Sequence, residues 1–405
     1  MDDSSTGERL HIARMAFVLI FAGMIANPVI AEWAYGDDAR YLFLPYDWLG
    51  DFLKHVRSFP GPPIHSSVLA WQMEQFQLSQ ADPRIGHFHN MPLTVLITLG
   101  WRQLFALMDP AILYFVMAGC FVMAWSFLVH RFTDEAARPT LLALALFNSP
   151  MITLVMCGNL FAGAVAACLA AMLCRRKLDW TAVLLLVVAA NIRPNVVIMA
   201  LPLLLSQSGA IRFVIRTGIV GTALAAACLI IDGVIYPAYT VPAVLRGLAL
   251  YNEHYVLGPL GVSFGSSLWG AVRHVVPVAG PAVTVCTLVG LLPLLLAWIE
   301  RERLSYAASC FLTITACTLS TAVFADYHLL IFVVPIILLR RDDAAFWPIL
   351  LGACWMLVPK HYNPEGVLSW QTYFNPAGVI VATGFIVWTS RRGRKPEAVP
   401  APAVV

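Results

Sequence analysis

Apolar runs of roughly 20 residues recur along the whole of this 405-residue chain, and they constrain its fold more than any other feature. A helix of about 20 apolar residues spans the hydrocarbon core of a bilayer, because all of its backbone polar groups bond within the helix. The composition agrees with this: 60% of the residues are hydrophobic and 12% are charged. In soluble domains the averages are roughly 45–50% hydrophobic residues and about 25% charged residues. The sequence therefore predicts an all-α polytopic membrane protein.

The basic residues predict how the chain lies in the membrane. Candidate spans fall at about 14–31, 110–130, 140–157, 159–174, 178–190, 194–207, 217–235, 281–299, 304–324, 327–340, 344–359 and 374–390. Arginine and lysine concentrate in cytoplasmic loops. All the basic clusters fall on one side if segment 91–107 lies on the outer surface as a juxtamembrane helix. We therefore expect about 12 transmembrane helices, with both termini cytoplasmic.

One transmembrane domain, residues 1–390, is expected. Its first extracytoplasmic loop, 32–109, is longer than a passive connection needs, and it would contain juxtamembrane helices. The tail 391–405 is basic and then rich in Pro and Ala, which is typical of a disordered cytoplasmic end. The net charge of +3 and the position of the basic residues at span ends give no indication of nucleic-acid binding.

An acidic pair, Asp37 and Asp38, directly follows the first span and is the leading candidate for catalysis. Carboxylates beside lipid are costly unless they have a function, and two adjacent ones raise each other's pKa. A carboxylate with a raised pKa suits a general base that takes a proton from a hydroxyl group. Arg40 would pair with this acidic pair or contact a phosphate. The alternative is a solvated pair that caps a surface turn.

Further polar residues collect on the same predicted side. Arg193 lies between two short apolar runs. It would bind a lipid phosphate, or its side chain would extend to the membrane interface to keep its charge in water. His328 opens an apolar helix and would donate to a leaving phosphate or serve as an interfacial structural histidine. Other candidates for contact with a sugar or headgroup, or for an aromatic belt, are Asn195, Tyr251, Asn252 and Ser267.

Metal binding is not predicted. His89 forms a His-x-His pair with His87, but no third ligand stands at a fixed spacing, and bonds from these histidines to the backbone are the simpler interpretation. No cofactor motif is present. The one-sided distribution of polar groups favours an enzyme with an extracytoplasmic active site, because a transporter places such groups near the membrane midplane.

Several short motifs resemble those of the GT-C glycosyltransferases, and within that class family 87. That family comprises polyprenol-phosphate-mannose-dependent mannosyltransferases of bacterial envelopes. Gly36–Tyr41 is similar to the family's Asp-containing segment that ends in Tyr, and His89–Leu93 resembles its Tyr-Pro-Pro-Leu segment with one proline missing. Gly158-Asn159 resembles the family's Gly-Gln…Asn pair, and Ile192-Arg193-Pro194 resembles its Ile-Lys-Pro. Tyr327-His328 with Pro335 is similar to its Tyr-His…Leu-Pro helix. Ser266-Ser267-Leu268 is only loosely similar to its Asn-Gln-Ser-Leu.

The resemblance implies a metal-independent, inverting transfer of mannose or another hexose or pentose from a polyprenyl-phosphate donor. The acceptor would be an envelope glycolipid or polysaccharide, on the outer face of a bacterial inner membrane. By position, Asp38 would be the base, with Asp37 second, and His328 would contact the donor phosphate. Substrate contacts are implied for Tyr41, His89 and Asn159. The alternatives are an O-antigen ligase or polymerase, a transporter or flippase, and a non-catalytic partner in an envelope complex.

Overall fold

The computed structural model describes residues 3–35, 91–105, 107, 110–205, 207–235, 237, 239–251, 265–275, 280–321, 324–360 and 370–392. All named elements in these ranges are helices. The α-helices are α1 (Asp3–Tyr35), α2 (Pro92–Phe105), α3 (Pro110–Phe132), α4 (Arg138–Leu146), α5 (Ser149–Cys157), α6 (Leu160–Arg175), α7 (Trp180–Ile192), α8 (Ala210–Ile235), α9 (Val241–Tyr251), α10 (Leu268–Val275), α11 (Gly280–Glu302), α12 (Tyr306–Ser320), α13 (Val333–Leu338), α14 (Phe346–Leu357) and α15 (Trp370–Arg392). The 3₁₀ helices are η1 (Pro194–Leu203) and η2 (Asp326–Phe332).

Three described helices are long and apolar enough to cross a membrane, with apolar stretches at Gly7–Ile30, Ala111–Phe132 and Ala210–Ile235. A fourth span is obtained if α4 and α5, which meet at an angle of 50°, are counted as one broken helix. The prediction of an all-helical protein with helices that can span a membrane is confirmed in this coarser form for the residues that the structure describes. The figure of about 12 spans stays a prediction.

Side-chain caps fix where several helices begin. Asn148, Asn159, Asp179 and Ser305 each accept a hydrogen bond from the backbone N–H three residues later. Such a cap satisfies one of the donors that a helix start leaves without a partner. Because Asn148 also donates to two carbonyls at the end of α4, the α4–α5 bend has its own set of hydrogen bonds. The breaks in the helices are therefore specified by the sequence.

Helix α1 connects the two ends of the bundle. Near its start, Arg9 forms an ion pair with Asp134, with 3.0 Å between Nε and Oδ2. Near its other end, the side-chain amide of Asn27 donates to the carbonyl of Pro359 at 2.6 Å. We call the end that holds Arg9 the arginine end, and the opposite one, which holds Pro359, the polar end.

The clusters of arginine and lysine that were used to predict the orientation lie at the arginine end. Tyr306 opens α12 and donates to the carbonyl of Leu173 in the last turn of α6 at 3.0 Å, which brings these two helix ends together. Arg216 lies over the ring of Trp180, 5.0 Å from its centroid, so α7 and α8 begin side by side. Helices α14 and α15 pack antiparallel. The clusters at this end are Arg175-Arg176-Lys177, Arg212 with Arg216, Arg301 with Arg303, Arg340-Arg341 and Arg391-Arg392.

Candidate functional site

The polar end gathers side chains from five separate parts of the chain. Helix η2 begins there with Asp326 and His328, and it packs against α5, α6 and α14. Arg193, between α7 and η1, lies close enough for its charge to act on the imidazole of His328. Ser266, next to the antiparallel bridge between Gly265 and Ala325, and Lys360, after α14, complete the group together with the first turns of α15. Two sequence candidates, Arg193 and His328, are thus brought together.

The sequence around Arg193 explains its position at a hairpin tip, where it is partly buried. Proline disfavours the α conformation in the residue before it, so α7 ends at Ile192 and Arg193 is extended, with φ −142° and ψ 89°. Pro194 then begins η1, where its fixed φ is suitable. No hydrogen bond or ion pair of the guanidinium falls within the described part of the chain, which leaves its donors available for a ligand.

This hairpin tip is recessed within the bundle. Asn191 is 5% exposed, and its amide donates to the carbonyl of Gly221 at 3.3 Å, about halfway along α8. The end of α7 is therefore level with the middle part of α8 rather than with the end of that long helix. Short helices that meet at a polar break are typical of buried sites and not of lipid-facing surfaces.

His328 has no hydrogen-bonding partner for its side chain among the described residues. Both ring nitrogens are inaccessible to solvent, and the nearby backbone of Ala325 does not form a hydrogen bond of good geometry with either of them. The ring instead lies between two aromatic rings, with centroids 5.2 Å from Phe324 and 4.7 Å from Tyr327. A buried polar group without a partner costs free energy, which is tolerated at functional sites where a ligand supplies the partner.

Asp326 lies two residues before His328 and is held by several parts of the chain. The hydroxyl of Ser266 donates to its Oδ1 at 2.9 Å, and the amide of Asn375 donates to Ser266 Oγ at 2.8 Å. Burial raises the pKa of Asp326 to about 6. The hydrogen bond from Ser266, the charge of Lys360 and a hydrogen bond from Gln371 each lower this pKa and offset part of the rise. The carboxylate therefore accepts hydrogen bonds from other residues of the protein.

Lys360 is the buried cation of this end, with 7% of its surface exposed. Its ammonium group donates to the carbonyl of Trp355 and, at 3.0 Å, to that of Val358, and it lies 4.8 Å from the centroid of the Trp355 ring. Burial lowers the pKa of Lys360 to about 7, and the charge of Asp326 opposes this. Lys360 therefore caps the C-terminal carbonyls of α14, and it lies close enough to Asp326 for the two charges to interact.

Two further sequence candidates, Asn159 and Ser267, begin helices. Asn159 is 3% exposed and accepts from the N–H of Ala162 at 3.1 Å at the start of α6, directly after Gly158, whose φ of 75° favours glycine. Ser267 accepts from the N–H of Gly270 at 3.0 Å and so caps α10. Asn195, at the start of η1, is exposed, and its backbone carbonyl accepts from Cys317 Sγ at 3.4 Å. Substrate contact by these three residues stays a prediction.

The remaining sequence candidates lie outside the described residues. These are Asp37, Asp38, Arg40, Tyr41, His89 and Asn252, together with the side chain of Tyr251. Helix α1 ends at Tyr35, beyond the contact between Asn27 and Pro359 at the polar end. The acidic pair follows α1 by two residues in the sequence.

Sequence reasoning missed two members of this site, Gln371 and Asn375. It took Ser266 only as part of the Ser266-Ser267-Leu268 similarity and proposed no role for Asp326. Asn375 lies inside a run taken as a span, and its amide contacts a serine 109 positions away. Its only signal in the sequence is an amide within an apolar helix. For metal binding, the described residues contain no group of three or more His, Cys, Asp or Glu side chains suited to an ion.

A further buried carboxylate lies away from this group, in the last turns of α8. Asp232 is 0% exposed, and neither of its oxygens has a hydrogen-bonding partner within the described ranges. Tyr239, which is 1% exposed, lies close enough to sense its charge.

Comparison with known proteins identifies no relative: the chain matches no protein-family model, no curated protein and no solved structure. The functional argument therefore depends on the residues themselves.

Proposed function

We propose that this protein is an integral membrane glycosyltransferase that moves a sugar, mannose or another hexose or pentose, from a polyprenyl-phosphate donor to an envelope glycolipid or polysaccharide. The observation that carries the proposal is that Arg193 lies close enough for its charge to act on the imidazole of His328, whose ring nitrogens have no hydrogen bond of good geometry among the described residues. Guanidinium and imidazole groups are suitable donors to a phosphate, and neither has a competing hydrogen-bonding partner among the described residues.

The direction of α1 supports the same site. Its end at Tyr35 is on the side of the bundle where Asn27 contacts Pro359, next to Lys360. The acidic pair Asp37-Asp38 follows directly, so a base and a phosphate-binding pair would belong to one end of the molecule.

The proposed reaction is an inverting displacement at the anomeric carbon. Asp38, or Asp37 in second place, takes the proton of the acceptor hydroxyl, and the oxygen forms the new glycosidic bond as the bond to phosphate breaks. The polyprenyl phosphate leaves with the bonding electron pair. Arg193 and His328, with Arg40, stabilise the negative charge that develops on that phosphate. The chemistry needs no cofactor or metal, since protein groups supply the base and the counter-charge.

The proposed orientation follows from the distribution of arginine. Basic clusters gather at the arginine end, and such clusters are retained in the cytoplasm. The polar end would then be extracytoplasmic in a bacterial inner membrane, with both termini in the cytoplasm. The bent pair α4–α5 and the continuous segment η2–α13 are each counted as a single pass in the proposed arrangement of about 12 spans.

The proposal is tested with purified protein in lipid vesicles and a labelled sugar carried on polyprenyl phosphate. Arg193→Ala should lower transfer on the order of 100-fold, because one donor to the developing charge is lost. Arg216→Ala, which removes an arginine at the other end of the bundle, should leave transfer near the wild-type rate. Absence of transfer by the wild type from any lipid-phosphate sugar would rule the proposal out.

A transporter is the second candidate, and Asp232 is the observation that favours it. A buried carboxylate without a described partner in a membrane-spanning helix is typical of a proton or ion pathway. A substrate-dependent proton current across vesicles that is lost in Asp232→Asn, without sugar transfer, would support the transporter instead.

A further inference from the structure

Asp326 and His328 share the first turn of η2, and their side chains differ in how they are held. Asp326 is bonded by Ser266 at 2.9 Å and is connected through it to Asn375 of α15. His328 has no hydrogen bond from either ring nitrogen among the described residues. The direction of the imidazole therefore depends on its aromatic neighbours and on where η2 is placed.

The placement of η2 depends on Asp326. The carboxylate connects the start of η2 with the segment before α10, with the first turns of α15 and with the charge of Lys360 after α14. The backbone adds two contacts beside it, the N–H of Ser266 to the carbonyl of Phe324 at 2.8 Å and the bridge between Gly265 and Ala325. Separate helices thus meet at one side chain, two residues from His328.

We propose that Asp326 is a positioning residue, whose bonds to Ser266 and to the start of α15 set the 3₁₀ helix so that His328 meets the phosphate of the lipid-linked donor. This inference rests on the proposed function for the identity of the ligand. In this proposal Asp326 acts through protein partners rather than on the substrate, since Oδ1 accepts from Ser266 and Gln371 also donates to the carboxylate. Removing its charge or its serine partner changes the reaction only through His328.

The chain offers a matched control at the opposite end. Asp343 accepts a hydrogen bond from the hydroxyl of Ser305, as Asp326 does from Ser266, but it lies at the arginine end, beside the start of α12. Asp343→Asn and Ser305→Ala make the same chemical changes as Asp326→Asn and Ser266→Ala. Neither control residue belongs to the candidate site.

The first measurement does not depend on activity. Diethyl pyrocarbonate modifies accessible imidazoles, and mass spectrometry gives the rate at His328, with the exposed His130 at the arginine end as an internal reference. We expect slow modification of His328 in the wild type and a rate about tenfold higher in Asp326→Asn, with a smaller increase in Ser266→Ala, since loss of these bonds lets η2 open locally and exposes the ring. His130 and the two control variants should be unchanged. An unchanged rate at His328 in Asp326→Asn and Ser266→Ala would overturn the proposal.

The second measurement is a double-mutant cycle on sugar transfer. Asp326→Asn should lower kcat by roughly 10- to 100-fold, since a small misplacement of a catalytic group has effects of that size. In a His328→Ala background the same change should cost less than about twofold, because the group that it positions is gone. Equal effects in both backgrounds would contradict the proposal. If the wild type transfers no sugar, the proposed function fails, and the modification rates alone decide whether Asp326 positions His328.

Discussion

At the residue scale, Asp326 and Lys360 hold charges that their surroundings disfavour. Burial raises the pKa of the first to about 6 from its ordinary value of 3.8, and lowers the pKa of the second to about 7 from 10.5. The folded protein therefore binds a proton at Asp326 more tightly than the unfolded chain does, and at Lys360 less tightly. Both shifts tie stability to pH.

The sign of this dependence differs between the two groups. The free energy of unfolding should fall as pH rises from about 4 to about 6, where the folded state holds the proton of Asp326 and the unfolded state has lost it. It should rise again from about pH 7 to about 10, where the unfolded state holds the extra proton on Lys360. We expect a minimum between these windows.

Replacing Lys360 isolates its part in this profile. In Lys360→Met the rise in stability above about pH 7 should be reduced, as seen in the thermal midpoint of the detergent-solubilised protein measured from pH 5 to pH 10. Lys177→Met, which removes an exposed lysine at the arginine end, is the control and should keep the wild-type profile. Parallel profiles for Lys360→Met and the wild type would show that Lys360 does not titrate in this range.

At the element scale, the close approach of α14 and α15 depends on small residues. A Cβ atom added at Gly378 would clash with Cδ1 of Trp355, and one at Gly352 would lie 2.8 Å from the Cβ of Ala382. Small residues allow helix backbones to approach closely. In a membrane the hydrophobic effect contributes little to the association of helices, so their stability depends on such close packing. Trp355 also donates to the carbonyl of Phe374 at 2.8 Å, so α14 aligns the start of α15, from which Asn375 reaches Ser266.

Gly378→Ala should destabilise the protein by about 1–3 kcal/mol, because the added methyl group forces the indole of Trp355 out of its place. The matched variant is Gly384→Ala in the same helix, where a Cβ meets open space. There alanine should be neutral or stabilising by up to about 1 kcal/mol, since it lowers the entropy of the unfolded chain. Thermal unfolding in detergent measures both; equal midpoints for the two variants would contradict the packing argument.

Local signals in the sequence were enough to predict some elements and not others. The break at Arg193-Pro194 and the start of a helix after Asn159 were predicted, because proline and a capping side chain act on their immediate neighbours. The network of Ser266, Asp326 and Asn375 was not predicted, since its bonds join residues 60 and 109 positions apart. The 3₁₀ form of η1 and η2 also has no local signal, as it depends on the helices packed around them.

At the scale of the whole molecule, charged and polar groups separate towards opposite ends of the helix bundle. Ion pairs such as Arg9–Asp134 and Arg175–Asp179 belong to the arginine end, whereas Arg193, His328 and the network around Asp326 lie at the polar end. This separation is a direct consequence of where each helix begins, and it favours a single active face.

The orientation of this bundle is open to a direct test in cells. A green fluorescent protein fused after residue 405 of the full chain should fluoresce, because the C-terminus is expected in the cytoplasm, where that protein folds. A phosphatase fused at the same place should be inactive, since it needs the oxidising outer compartment. The reverse pair of results would place the polar end in the cytoplasm and remove the proposed access to an outer-leaflet donor.

The central claim is that the acidic pair after α1 supplies the base for sugar transfer, and one comparison tests it most directly. Transfer of labelled sugar from polyprenyl phosphate is measured for the wild type and Asp38→Asn at equal amounts of folded protein, with Asp37→Asn beside them. The account predicts a loss of about 100-fold or more in Asp38→Asn, since the amide cannot take the acceptor proton. Transfer at the wild-type rate in both variants would contradict it.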